Sequence, residues 1–301
     1  MLLRSNHTLP YSSYFRKMIL IADSGATKAD WRFIDKDGSV SAFSTVGLSP
    51  LFWTSKEMSD EINKKFSKNL KSQISNLKSQ IFFYGTSCSS KERIRIVQTA
   101  LKKVFPKSKV EINHDLLASA RALLGNKEGI ACILGTGSNS CYYDGKKIVQ
   151  NKGGLTYILG DEGSGAHIGL EFIKAFLNNE LPEKIHKIFL KEYRLTKDKI
   201  FDAVYQKKYP NRFLATFAKF IHEHIHTSFI EKLVRQCLTD FFEKTICKYE
   251  SYKNVPIGFV GSISYNFKYI LHDVAKEKGI TINKIIANPI DELVKFHLKE
   301  K

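Results

Sequence analysis

No stretch of the chain is apolar for the roughly 20 residues that a helix needs to cross a bilayer, which argues against a helical membrane span. Cysteine is sparse and unpatterned: Cys88, Cys132, Cys141, Cys237 and Cys247 are odd in number and form no CxxC pair. That spacing supplies neither a disulfide framework nor a zinc ribbon, and it suits a reducing cytoplasm. It also groups no thiols for an iron–sulfur cluster. There is no Walker A loop and no GxGxxG after a strand, so P-loop and Rossmann readings fail. Acid is scarce beside base, with 30 Asp and Glu against 47 Lys and Arg and a formal charge of +17. The lysines are spread over polar helix faces, as in "EINKKFSKNLKS" and "DVAKEKG", with no aromatic RNP signature and no Cys/His finger. This reads as a solvated surface and not as a nucleic-acid footprint, and its field modestly favours anionic ligands.

The first 17 residues contain no acid and one proline, and they lack the apolar centre of a secretion signal. They read as a disordered extension or a misassigned start, with Met18 as the working first residue. The chain as a whole, 43% hydrophobic and 26% charged, has the composition of a soluble globular protein, and it is long enough for two domains with separate cores.

From Met18 the pattern predicts three strands ("MILIAD", "ADWRFID", "VSAFSTVG"), a helix over "SKEMSDEINKKFSKNL", a strand "SQIFFYGT", a Ser-capped helix "SSKERIRIVQTALKKVF" and a strand "KVEINHD". The same order then restarts at "GIACILGTG", "NSCYYDGKKI" and "IVQNKGG", and resumes after a long helical stretch with "VPIGFVGS", "SYNFKYILHDVAKEKG" and "TINKIIANP". Two α/β domains of β-β-β-α-β-α order are therefore expected, over residues 18–115 and 116–288, with a helical insertion at about 178–250 in the second. The closing helix, 289–301, is expected to pack back onto the first.

Tight turns after strands expose N–H groups that can hold phosphate oxygens, and glycine admits close approach. "DSGATK" places Gly25, Thr27 and Lys28 after Asp23, whose carboxylate could hold a magnesium ion through water. "GTGSN" repeats the geometry with Gly135, Thr136, Gly137 and Ser138 in the second half. Two such turns from opposing domains would clasp a triphosphate. "ILGDEGSG" puts Asp161 among glycines at a helix start, either as a capping acid or as an acceptor for substrate hydroxyls. In "NHDLLASARA", Asp115 stands at a strand-to-helix junction, either as an N-cap or as a carboxylate that takes a proton from an attacking hydroxyl.

Together and in this order, "LIADSGATKADW", "GTGSNS", "ILGDEGSGAHIG" and "GFVGSIS" resemble the actin/hexokinase superfamily. Within it they resemble the N-acetylglucosamine kinase-like branch that includes the BadF/BadG-type ATPases. The resemblance implies a two-domain actin-like ATPase fold of the ribonuclease H-like type. It implies a cytoplasmic enzyme using ATP and Mg2+ to phosphorylate the 6-hydroxyl of an amino sugar, with N-acetylglucosamine first and glucosamine or N-acetylmuramic acid as alternatives. Asp23, Gly25, Thr27 and Lys28 would then bind the phosphates of Mg-ATP, Thr136 and Gly137 the γ-phosphate, and Gly261 and Ser262 the adenosine. Asp115 would be the catalytic base, and Asp161 and Asn139 would contact the sugar. No nucleic-acid or membrane partner is implied, and pairing of two copies is left open. Two positions depart from the family pattern: Ser49 in "GLSPLFW" replaces a sugar-contacting Asn, and Ser87 in "YGTSC" replaces a glycine. Both bear on which sugar is accepted.

Three rival functions arise. "HEHIH", with His222, Glu223 and His226, matches the zinc-protease pattern, which requires both imidazoles on one helical face. An ATPase that activates a partner enzyme would need grouped cysteines, and a sugar sensor would not need Asp23, Asp115 and Asp161 intact.

Overall fold

The computed structural model describes residues 18–25, 28–66, 74 and 79–299. The 1–17 segment, Thr27 and the end of the first predicted helix lie outside the described residues. The chain divides into two compact units, residues 1–122 with 289–301, and residues 123–288.

In the first unit, β1 (Ile19–Ser24) is central and almost wholly buried, which accounts for its continuous apolar run "ILIA". It pairs antiparallel with β2 (Lys28–Ile34), which pairs in turn with β3 (Val40–Val46), and parallel with β4 (Gln80–Gly85), which carries β5 (Lys109–His114). The sheet order is β3-β2-β1-β4-β5. The β2–β3 turn is closed by Asp35 and Gly38, with the Ser39 N–H donating to Asp37 at 2.9 Å. α1 (Ser55–Lys65) begins with a reciprocal capping box between Thr54 and Glu57, and α2 (Lys91–Val104) begins with Ser90 accepting from the Arg93 N–H. The core is aromatic: Trp31 is fully buried, stacked on Phe43 and edge-on to Phe66 and Phe83, and its indole N–H donates to Thr45 at 3.1 Å.

α3 (Asp115–Leu124) carries the division between units after Ala122, seven residues beyond the junction expected from sequence. Its side chains explain the later position. Arg121 donates to the Tyr84 hydroxyl in the first unit, whereas Leu123 packs against the Gly258 backbone in the second. The last helix of the chain, α13 (Ile290–Lys299), belongs to the first unit. Arg32 bonds Asp291 at 2.8 Å, and the His297 ring stacks on Phe82 at 3.7 Å while meeting the Tyr84 hydroxyl at 2.8 Å.

The second unit repeats the arrangement. β6 (Glu128–Leu134), β7 (Ser138–Asp144) and β8 (Ile148–Gly153) form the antiparallel side, and β9 (Ile257–Val260) and β10 (Ile282–Ile286) the parallel side. The order β10-β9-β6-β7-β8 is the first sheet's order with β6 taking the place of β1. After the short α4 (Thr156–Leu159) comes α5 (Gly165–Leu177), which leads into the insertion: α6 (Glu183–Tyr193), α7 (Lys197–Phe201), α8 (Pro210–Ala215), α9 (Ala218–Glu223) and α10 (Ser228–Lys244). Phe172, Phe189, Phe220 and Phe241 fill the core beneath them, each fully buried. α11 (Ser262–Asn266) and α12 (Lys268–Glu277) separate β9 from β10. Among the described residues, no helix is long and apolar enough to cross a membrane.

Because Leu293 of α13 is fully buried, Leu293→Ala removes packing that holds the helix on β1 and β2. The expected loss is about 2–5 kcal/mol, read from the denaturant midpoint, and a loss well under about 1 kcal/mol would contradict the docking of this helix.

Candidate active site

In the first unit the candidate residues collect at the carboxyl ends of the parallel strands, where open α/β sheets hold ligands. The Ser24 hydroxyl accepts from the Leu48 N–H at 2.9 Å, and the Thr86 N–H donates to the Ser24 carbonyl at 2.9 Å. The loop after β3 and the turn after β4 are thereby tied to the end of β1. The Gly25 N–H closes the next turn on the Lys28 carbonyl at 3.0 Å. Lys28, expected to face phosphate, pairs instead with Asp30 at 2.8 Å, and Asp30 also accepts from the Ser44 hydroxyl. Asp30 was not anticipated from sequence, yet the hairpin register puts it directly opposite Asp23.

Asp115 opens α3, and its Oδ1 lies 2.7 Å from His114 Nδ1. Burial opposes a charged His114 ring, but the hydrogen bond and charge of Asp115 more than offset this, and the His114 pKa is raised. The Asp23 carboxyl is pushed up to about 7, first by burial and then by the charges of Asp115 and Asp30. The structure therefore brings Asp23, Asp30, Asp115 and His114 into electrostatic reach of one another. Burial pushes the neighbouring Cys88 thiol up to about 12, which leaves it inert at neutral pH. Ser49 is buried and its hydroxyl lies 3.4 Å from that of Ser87, which sits in the left-handed region at φ 65°. The two departures from the family pattern thus meet.

In the second unit the "GTG" turn joins β6 to β7. Its carbonyls accept the first free N–H groups of α5, Gly165 to Gly135 at 2.8 Å and Ala166 to Thr136 at 3.0 Å. Asp161 holds a left-handed φ of 60°, and its buried carboxylate accepts from the Ser138 N–H at 3.1 Å. Burial raises the Asp161 pKa against the lowering effect of that N–H. Gly137 lets the Asp161 carboxylate come close, since a Cβ would stand 2.8 Å from Asp161 Oδ2 and press it aside. Asn139 Oδ1 accepts from the Ser140 N–H at 2.9 Å and from Asn151 Nδ2 at 2.7 Å. Gly261, at φ 128°, has no room for a side chain, because a Cβ would lie 2.1 Å from the Leu134 carbonyl oxygen.

Beside this turn lies a cavity of about 260 Å³ whose walls include Thr136, Ser262, Asn266, Phe267, Lys219 and His222. The last two come from the insertion, and sequence gave no hint of their placement. His222 had pointed to zinc, but α9 ends at Glu223 and the chain turns through His224 to Thr227, so His222 and His226 do not share a helical face. Its ring instead meets Phe267 edge-on at 5.4 Å. Among the described residues, no group of three or more His, Cys, Asp or Glu side chains is arranged to hold a metal ion.

A five-stranded sheet of this order, found twice, with glycine turns at the ends of the central strands, defines an actin-like ATPase fold. No protein-family model and no curated protein sequence matches the chain. Among solved structures it is similar to a provisionally named N-acetylglucosamine kinase from Porphyromonas gingivalis, with 37% identity over 93% of this chain and 99% of that one and a TM-score of 0.88. A second provisionally named N-acetylglucosamine kinase, from Chromobacterium violaceum, shares the fold at 13% identity, 93% and 98% coverage and a TM-score of 0.69. So does the ROK hexokinase of Thermus thermophilus, at 10% identity, 94% and 100% coverage and a TM-score of 0.55. The chain belongs to the N-acetylglucosamine kinase-like family of the actin/hexokinase superfamily.

The raised His114 pKa has a testable sign. A group whose pKa is higher folded than unfolded stabilises fully below its ordinary value, here 6.5, and the contribution fades as pH rises through the folded value. The gap in urea midpoint between the wild type and His114→Gln should therefore be widest near about pH 5.5 and shrink by about pH 8.5. A gap that grows with pH would contradict the pairing.

Proposed function

We propose that the protein transfers the γ-phosphoryl group of ATP to the 6-hydroxyl of an amino sugar, with N-acetylglucosamine as the first candidate. The observation that carries this reading is the Asp115–His114 pair in the same strand-end cluster as Asp23. The His114 ring fixes Asp115 Oδ1, leaving Oδ2 to accept a proton from an attacking hydroxyl. In this reading the adenosine enters the cavity beside Gly261 and Ser262, and the backbone of Gly135, Thr136 and Gly137 meets the phosphates. Gly25 and Thr27 are proposed to bind phosphate oxygens as well. Lys28 would join them only by releasing Asp30.

Magnesium suits the donor set. Asp23 is a hard oxygen ligand held at a raised pKa beside two other carboxylates, and a divalent cation would relieve that repulsion. Asp23 would hold the ion through water, and the ion when bound neutralises phosphate charge. Asp161 and Asn139 are proposed to bind sugar hydroxyls, and the Ser49–Ser87 pair to shape the acceptor side of the first unit. Five free cysteines and the use of ATP both fit a cytoplasmic setting.

The test is ADP release from Mg-ATP with N-acetylglucosamine, glucosamine, N-acetylmannosamine, N-acetylmuramic acid and glucose in turn. One sugar should raise the rate well above background, and Asp115→Asn should cut that kcat by about 10²- to 10⁴-fold with little change in the KM for ATP. ADP release indifferent to every sugar would overturn the kinase reading.

A further inference from the structure

Asn139 has an amide oxygen with no capacity left. It accepts from the Ser140 N–H at 2.9 Å and from Asn151 Nδ2 at 2.7 Å, and a carbonyl oxygen has two lone pairs. Asn151 is itself committed, since the same Nδ2 also donates to the Ser140 carbonyl. The two residues lie on the paired strands β7 and β8, with Cys141 opposite Asn151 and Asn139 opposite Gly153, so the bond crosses the ladder diagonally. Among the described residues, Asn139 Nδ2 has no hydrogen-bond partner. The only part of this amide that a ligand can use is its N–H.

A free Asn would turn its amide over to suit either a donor or an acceptor on the ligand. Here turning over would bring Nδ2 against two N–H donors, from Ser140 and Asn151, and would break both bonds at once. The Ser140 N–H alone cannot hold this polarity strongly, because it comes from the adjoining residue of the same strand. The cross-strand donor from Asn151 is the group that settles the orientation.

We propose that Asn151 is a positioning residue that makes Asn139 an obligate hydrogen-bond donor, so that the acceptor sugar must meet it with an oxygen lone pair. This rests on the sugar-kinase reading and deepens it. A hydroxyl or an acyl carbonyl satisfies the site, and an ammonium group, which only donates, does not. Nearby Asp161, which binds the Ser138 N–H on the same turn, supplies the opposite polarity. A donor-only amide and an acceptor-only carboxylate together suit a neutral hydroxylated sugar. The penalty for an ammonium at the position facing Asn139 follows from leaving two donors opposed, and sites of this kind discriminate more sharply than apolar ones.

The experiment compares N-acetylglucosamine, glucose and the 2-, 3- and 4-amino analogues of glucose near neutral pH, in the wild type, Asn151→Leu and Asn151→Asp. Both phosphorylation kinetics and sugar binding without ATP, followed by intrinsic fluorescence, are recorded. In the wild type, an ammonium at one ring position should cost roughly tenfold or more in kcat/KM. Asn151→Leu should raise the KM of the preferred sugar about five- to tenfold, with kcat and the KM for ATP little changed. Asn151→Asp is nearly isosteric, and its carboxylate should draw Asn139 Nδ2 inward, turn the oxygen toward the sugar and erase the penalty at that one position. If both variants phosphorylate sugars with the wild-type pattern of preference, the inference is overturned and the kinase reading stands. If the wild type neither binds nor phosphorylates any sugar, both fall.

Discussion

The constraint on which the first unit depends is the crowding of carboxylates at the end of β1. Asp23 and Asp30 face each other across the hairpin, and Asp115 adds its charge from the start of α3. The sheet shields Asp23, so its proton is held to about pH 7. The surrounding pairs follow from this. Lys28 answers Asp30 and His114 answers Asp115, whereas among the described residues no cationic side chain pairs with Asp23. A carboxylate in that condition is set to receive a cation or a proton, and both uses belong to phosphoryl transfer.

The second unit solves a different problem with different materials. Its turn at residues 135–137 is held by backbone groups, and the first N–H groups of α5 are spent on it. Close approach is obtained by omission, with Gly137 leaving space for the Asp161 carboxylate and Gly261 for the end of β6. The backbone is strained there too, since Asp161 keeps a left-handed conformation without being glycine. A turn built from backbone groups and a cluster built from acidic side chains thus stand at the ends of the central strands in two copies of one sheet.

The strands were the most legible part of the sequence. Buried runs such as "ILIA" and alternating runs such as "KADWRFI" report their position in the sheet through local periodicity alone. The breaks in the helical insertion were not legible. Arg194 terminates a helix and Tyr209 starts one in left-handed conformations, and neither residue type signals this. His222 shows the same limit in the site itself. Its "HEHIH" spacing suggested a ligand pair, but the helix stops one residue later and the ring turns toward Phe267. Asp23, Asp115 and Asp161 could be singled out because each sits at the end of a recognisable strand or the start of a helix. Their partners Asp30, His114 and Ser138 followed only from register and turn geometry.

The central claim, transfer of phosphate to a sugar 6-hydroxyl, is tested most directly by the product itself. The protein would be incubated with Mg-ATP and N-acetylglucosamine, and the proton-coupled phosphorus spectrum of the mixture recorded. The account predicts a new phosphomonoester resonance split by two methylene protons, as a 6-phosphate requires. ADP and inorganic phosphate with no phosphomonoester, or a phosphomonoester coupled to a single ring proton, would contradict it.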